Sequence, residues 1–141
     1  ATCMHVLEHI PDPISFLKEI SKLVKKGGRI FVEVPNVCDA LVELYKIPEF
    51  IKFYWQAAHI HYFSKDTLKK VLSKAGIGDV KIKSTSRYGM RNHVNWMINR
   101  RPGNGEEYRE IFTDELSLLY KKKLEENDLS DTLWAEIIVK D

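Results

Sequence analysis

Apolar positions along the chain fall into alternating helical and strand-like blocks. Ala1-Thr2-Cys3-Met4 reads as the end of a strand already under way. Asp12 followed by Pro13 predicts a helix start, with a capping side chain and then a proline where no amide donor is needed. Ile14, Phe16, Leu17, Ile20, Leu23 and Val24 then share one helical face, and Gly27-Gly28 stops the helix. Arg29 to Val34, with Ile30, Phe31, Val32 and Val34, reads as a buried strand ended by Pro35-Asn36. Two short helices split by Pro48, Ala40 to Tyr45 and Glu49 to Trp55, lie in an aromatic-rich stretch over 37–63. Ser64 predicts the cap of a helix through Leu68, Val71, Leu72 and Ala75, closed by Gly76. Val80 to Ser84 reads as a strand, and Arg87 to Gly105 as irregular, punctuated by Gly89, Pro102, Gly103 and Gly105. A long helix is expected from about Glu106, with Tyr108, Ile111, Phe112, Leu119 and Leu124 inward, and Leu133 to Val139 is the last strand.

Helix and strand alternate, which argues for an α/β layered sheet. The last two strands have no short crossover between them, so an antiparallel pair is expected there. At 44% hydrophobic residues over 141 positions, the chain has enough apolar material for a packed core. Twenty-two Lys and Arg against 20 Asp and Glu leave a net charge of +2, which gives no reason to expect a nucleic-acid or anionic-membrane partner. Two cysteines, Cys3 and Cys38, are too few for a disulfide scaffold, and reduced thiols in the cytoplasm are the default reading. No apolar run approaches the ~20 residues of a membrane span.

The run His5-Val6-Leu7-Glu8-His9-Ile10-Pro11-Asp12-Pro13 resembles the segment after the fourth strand of class I S-adenosylmethionine-dependent methyltransferases. The likeness continues through Phe16 to Ile20, Leu23 to Gly28, and Val32-Glu33-Val34-Pro35-Asn36. Lys26 stands where that family usually has a proline. A later block, His59-Ile60-His61-Tyr62-Phe63-Ser64 with Leu68 and Ala75-Gly76, belongs to the same likeness, which fades beyond about residue 85. The resemblance implies the C-terminal half of a Rossmann-like, doubly wound sheet whose last strand is antiparallel. Residues 1–141 are then a partial, substrate-side methyltransferase domain. The family's Gly-rich cofactor loop and its acidic ribose-binding residue are not in this sequence, so the S-adenosylmethionine site is expected to be incomplete here.

Ligands of such sheets sit at the carboxyl ends of the strands. By resemblance, Cys3, Met4 and His5 line the cofactor; core packing is the plain alternative for Met4. His61 or His59 is the candidate base for a hydroxyl acceptor, against a structural histidine bonded to backbone. Tyr54, Trp55, Tyr62 and Arg91 are candidate acceptor contacts, against ordinary core aromatics and a solvated charge. The run Cys3 to His9 also looks close to ubiquinone-pathway O-methyltransferases, which have Glu at the position of His5 and are thought to hold Mg²⁺ with it and the Glu-His pair. A histidine there weakens that idea, since a hard cation prefers oxygen ligands. His59 and His61 show no evident third ligand in the sequence, and no metal site is assigned. The expected function is methyl transfer to oxygen or nitrogen of a small molecule. The competing reading is a non-catalytic association module, forming a homodimer through an exposed sheet edge.

Overall fold

A computed structural model describes residues 1–140. The elements in chain order are β1 (Thr2–Met4), α1 (Pro13–Lys22), β2 (Arg29–Pro35), α2 (Ala40–Glu43), α3 (Pro48–Tyr54), α4 (Lys65–Ala75), β3 (Gly78–Thr85), α5 (Met90–Asn99), α6 (Asp114–Glu126) and β4 (Thr132–Val139). The four strands form one sheet in the order β1-β2-β4-β3. β1 runs parallel to β2, with Thr2 opposite Phe31 and Met4 opposite Glu33. β4 runs the other way: Val139, at its end, exchanges backbone hydrogen bonds with Gly27 and Gly28 just before β2. Trp134, near its start, stacks on Phe31 at 5.0 Å. The sheet is therefore mixed, with the last strand inserted antiparallel as expected.

The chain divides into two compact units. The first comprises Ala1–Asn36, Ala58–Lys83 and Leu133–Asp141. Its core joins Ile30, Val32 and Val34 of β2, Leu133, Ala135, Ile137 and Val139 of β4, Leu17 of α1, and Leu68, Leu72 and Ala75 of α4. β2 alternates buried and half-buried rather than being buried on both faces. Its second face carries Phe31 and Glu33, with Arg29 paired to Glu136 at 2.8 Å. The caps follow the local chemistry. The Asp12 carboxylate accepts from the Ser15 amide, and Ser64 and Thr67 close a reciprocal capping box at the start of α4. α1 ends earlier than the periodicity suggests, and Leu23 is 86% exposed rather than on the inner face.

Gly76 ends α4 with φ +64 in open space, whereas a Cβ on Gly78 would lie 2.0 Å from the Ile138 carbonyl oxygen. Gly76→Ala is therefore expected to cost about 1–2 kcal/mol through backbone strain alone. Gly78→Ala should cost more, about 2–3 kcal/mol, because β3 must move off β4. Urea unfolding of the two variants checks the order.

The second unit comprises Val37–Ala57 and Ser84–Thr132. α5 occupies much of the stretch read from the sequence as irregular. Phe50 and Phe53 of α3 pack on Trp96 of α5, with ring centroids at 5.0 and 5.4 Å. The long helix expected from Glu106 begins instead at Asp114, after a short 3₁₀ turn at Glu106–Tyr108. Its inward face is also not the expected one: Leu124 is buried, while Leu119 and the preceding Ile111 are exposed. Two titratable groups are buried in this unit. Asp39 caps α2 by accepting from the Leu41 amide at 2.7 Å, and His93 Nδ1 is 2.8 Å from the Tyr120 hydroxyl. No helix among the described residues is long and apolar enough to cross a membrane.

Candidate functional site

β1 and β2 are parallel, so their carboxyl ends share one sheet edge. The chain leaves β1 at His5, whose φ of +51 is a left-handed conformation uncommon outside glycine. That sharp exit lets Leu7–His9 form a single 3₁₀ turn over the edge. Leu7 is driven into the core and is fully buried. The segment 58–63 lies across the same edge. Ile60 and His61 both donate their amides to the Glu8 carbonyl, at 2.9 and 3.0 Å. Phe63 forms an isolated parallel bridge with Asn36, just past the end of β2.

This layering gathers three histidines around one carboxylate. Glu8 is only 1% exposed, and neither of its carboxylate oxygens has a hydrogen-bond partner. His5 Nδ1 is 3.4 Å from Glu8 Oε1, and His9 Nε2 is 3.9 Å from it. His5 Nε2 is 2.9 Å from Glu33 Oε1. His9 Nδ1 is 2.6 Å from the Ala58 carbonyl oxygen. The His59 ring meets the His9 ring edge-on at 4.8 Å and the Tyr62 ring at 5.6 Å. Burial is the main cause that lowers the His59 pKa; Glu8 opposes it, and His9 and His5 push the same way as burial. Burial, and then the Glu8 charge, push the Cys3 thiol up, so Cys3 is a poor nucleophile. His61 stacks at a tilt on Phe63, 5.8 Å between centroids, and its Nε2 is buried without a partner.

The candidate residues are not all alike in placement. Met4 is exposed at the edge and His5 half-exposed, but Cys3 points into the core, where only its backbone is left for a ligand. His59, His61 and Tyr62 lie together on the 58–63 segment. Tyr54 and Trp55, in the second unit, meet edge-on at 5.8 Å; Tyr54 is buried and Trp55 exposed. Arg91 is also in the second unit. It pairs with Asp114 at 2.9 Å and lines a cleft of about 380 Å³ with Arg87, Asn92, Ser117 and Lys121. Along the sequence, His59 and His61 lie two apart with no third metal ligand beside them. Instead, donor atoms of Glu8, His9 and His59 all lie within 4.8 Å of one another. Glu33 was missed as a partner of His5. Its signal was a carboxylate between Val32 and Val34 in an otherwise apolar strand.

The Mg²⁺ implied by the ubiquinone-pathway resemblance does not fit these residues. One carboxylate faces imidazoles of His5, His9 and His59, and a hard cation is held through oxygen.

A mixed sheet with its last strand antiparallel, and a ligand edge built after a parallel strand, is the architecture of Rossmann-like S-adenosylmethionine-dependent methyltransferases. The fold is similar to a methyltransferase of Thermotoga maritima described as a possible histamine N-methyltransferase. Its TM-score is 0.54 at 17% identity, over all of this chain and 55% of that one. It is also similar to phosphoethanolamine N-methyltransferase 2 of Haemonchus contortus, solved with S-adenosyl-L-methionine. Here the TM-score is 0.52 at 13% identity, over 99% of this chain and 33% of that one. Residues 1–82 match the family model for a methyltransferase domain, and the chain belongs to that family. Among curated relatives, the ubiquinone biosynthesis O-methyltransferase of Vibrio cholerae serotype O1 is 29% identical over 112 residues. That match covers 71% of this chain and 46% of the relative. The protein of the same description from Aeromonas salmonicida is 54% identical over 35 residues, 25% of this chain and 15% of that one. The chain spans about half the length of the curated relatives it matches.

Proposed function

We propose that this chain forms the acceptor side of an S-adenosylmethionine-dependent methyltransferase acting on a hydroxyl or amine of a small molecule. The observation that carries the reading is His61. Its Nε2 is buried and unpartnered, on a segment hydrogen-bonded across the carboxyl end of β1. S-adenosylmethionine, when bound, supplies an electrophilic methyl on sulfonium sulfur. The protein's work is then alignment of the acceptor with that methyl, and removal of the acceptor's proton. In this reading Met4 and His5 contact the cofactor at the β1 edge. His61 Nε2 takes the proton, and the backbone bond from His61 to the Glu8 carbonyl fixes where the ring sits. Tyr62 beside His59 offers an aromatic contact for the acceptor. Tyr54, Trp55 and Arg91 are proposed as further acceptor contacts on the sequence reading. Relatives described as O-methyltransferases favour a hydroxyl acceptor.

The test is a cofactor-consumption screen of the complete protein with methyl-labelled S-adenosylmethionine against hydroxyl and amine metabolites. Labelled product from at least one class is expected. Tight cofactor binding by calorimetry with no transfer to any member of either class would instead favour the association module, for which β1 is a sheet-edge strand.

A further inference from the structure

We infer that Glu8, His9 and His59 form a binding site for a borderline divalent metal of the Zn²⁺ class, in place of the hard cation implied by the family likeness. The donor set is one carboxylate and two imidazoles, drawn together to within 4.8 Å. Zn²⁺ takes this set readily, and three protein ligands leave a fourth position for water or an acceptor oxygen. For Mg²⁺ the cluster offers a single carboxylate and otherwise imidazole nitrogen, a poor match for a hard cation that prefers oxygen.

Two features point at an ion rather than a mere pile of side chains. First, Glu8 is 1% exposed with both carboxylate oxygens unbonded. A buried carboxylate in that condition is costly unless a cation or donor completes it. Second, the His9 tautomer is set by its neighbour. Nδ1 lies 2.6 Å from the Ala58 carbonyl, which can only accept, so Nδ1 carries the hydrogen. Nε2, the nitrogen left to ligate in the neutral ring, faces Glu8 Oε1 3.9 Å away. A ligating imidazole anchored through its other nitrogen to a backbone carbonyl is the usual arrangement at metal centres. His5 borders the cluster without joining it: its Nε2 donates to Glu33, and its Nδ1 lies 3.4 Å from the same Glu8 oxygen. All these residues lie within the first unit.

The test uses the purified chain, stripped of metal with a chelator and titrated separately with Zn²⁺, Co²⁺ and Mg²⁺. One equivalent of Zn²⁺ is expected to bind, and Co²⁺ should bind competitively with the intense visible absorption of a low-coordinate N/O site. Mg²⁺ should not displace either ion. His59→Ala, on a partly exposed ring, and His9→Ala should each weaken Zn²⁺ binding by more than roughly 100-fold, beyond the usual loss for an outer partner. Circular dichroism should show both variants folded. Zn²⁺ affinity unchanged in both variants, the absence of a one-equivalent Zn²⁺ isotherm, or displacement by Mg²⁺ would each overturn the assignment. None of these readouts depends on methyl transfer, so the result is separable from the proposed function.

Discussion

On the proposed function, His61→Ala is expected to lower methyl-transfer turnover by roughly two to four orders of magnitude, the usual worth of a general base, with S-adenosylmethionine affinity unchanged. The expectation rests on a division of labour within one residue. The His61 amide donates to the Glu8 carbonyl and holds the 58–63 segment on the sheet edge; a substitution leaves that bond in place. The ring is a separate matter. It leans on Phe63 and presents a buried Nε2 that no protein atom satisfies. Burying a polar nitrogen this way costs stability unless something binds there. Losing the ring should therefore leave the fold intact or slightly firmer while removing the proton acceptor. A further readout separates a base from a structural ring: KM for the acceptor should move far less than kcat. His61→Gln, which keeps a polar tip but cannot take the proton, should behave like alanine. Turnover within a few-fold of the parent would remove the assignment and return His61 to a packing role.

The sequence made the first unit legible because its signals are local. Asp12-Pro13, the Ser64–Thr67 capping box and Gly76 each act through hydrogen bonds or a backbone angle within one turn. The even positions from Ile30 to Val34 report a buried strand face directly. α5 was invisible for the opposite reason. Gly89 at its start makes no side-chain cap, and Arg100 rather than glycine takes the left-handed position at its end. Its buried residues are His93 and Asn95 as well as Val94 and Trp96, on more than one face, so the apolar period is broken. Those polar groups are satisfied by partners that no local pattern reveals. His93 meets Tyr120, 27 residues away, and Asn95 donates to the Arg101 carbonyl beyond the helix end. The candidate site failed to show itself in the same way. Glu8 and His9 are adjacent in the chain, but His59 joins them only because the 58–63 backbone docks on the Glu8 carbonyl. Spacing rules look along the chain, and this cluster forms across it.

Asp39→Asn is expected to convert a nearly flat pH dependence of stability into one that rises steeply from about pH 4 to about 6.5. Burial pushes the Asp39 carboxyl from its ordinary 3.8 up to about 7; the Leu41 amide bond opposes this and Asp131 adds to it. Between those values the folded chain holds a proton that the unfolded chain has released. Stability therefore falls as pH rises through this window, by about 4 kcal/mol for a shift of this size. Burial moves His93 the other way, from 6.5 down to about 4. Here the unfolded chain holds the extra proton, so stability rises with pH between those values, by about 3 kcal/mol. The two slopes nearly cancel between about pH 4 and 6.5 and leave a small fall near neutrality. An asparagine keeps the cap, since its side-chain oxygen can accept from Leu41, but it does not titrate. The variant should therefore expose the His93 slope and gain stability at pH 8, where the parent carries a buried charge. His93→Gln should expose the reverse, a fall with rising pH. Urea midpoints of the three proteins at pH 4.5, 5.5, 6.5 and 8 decide it. Parallel curves for parent and Asp39→Asn would mean that Asp39 is ionised in the folded chain throughout. Its burial would then be balanced by a cationic neighbour instead of by a proton.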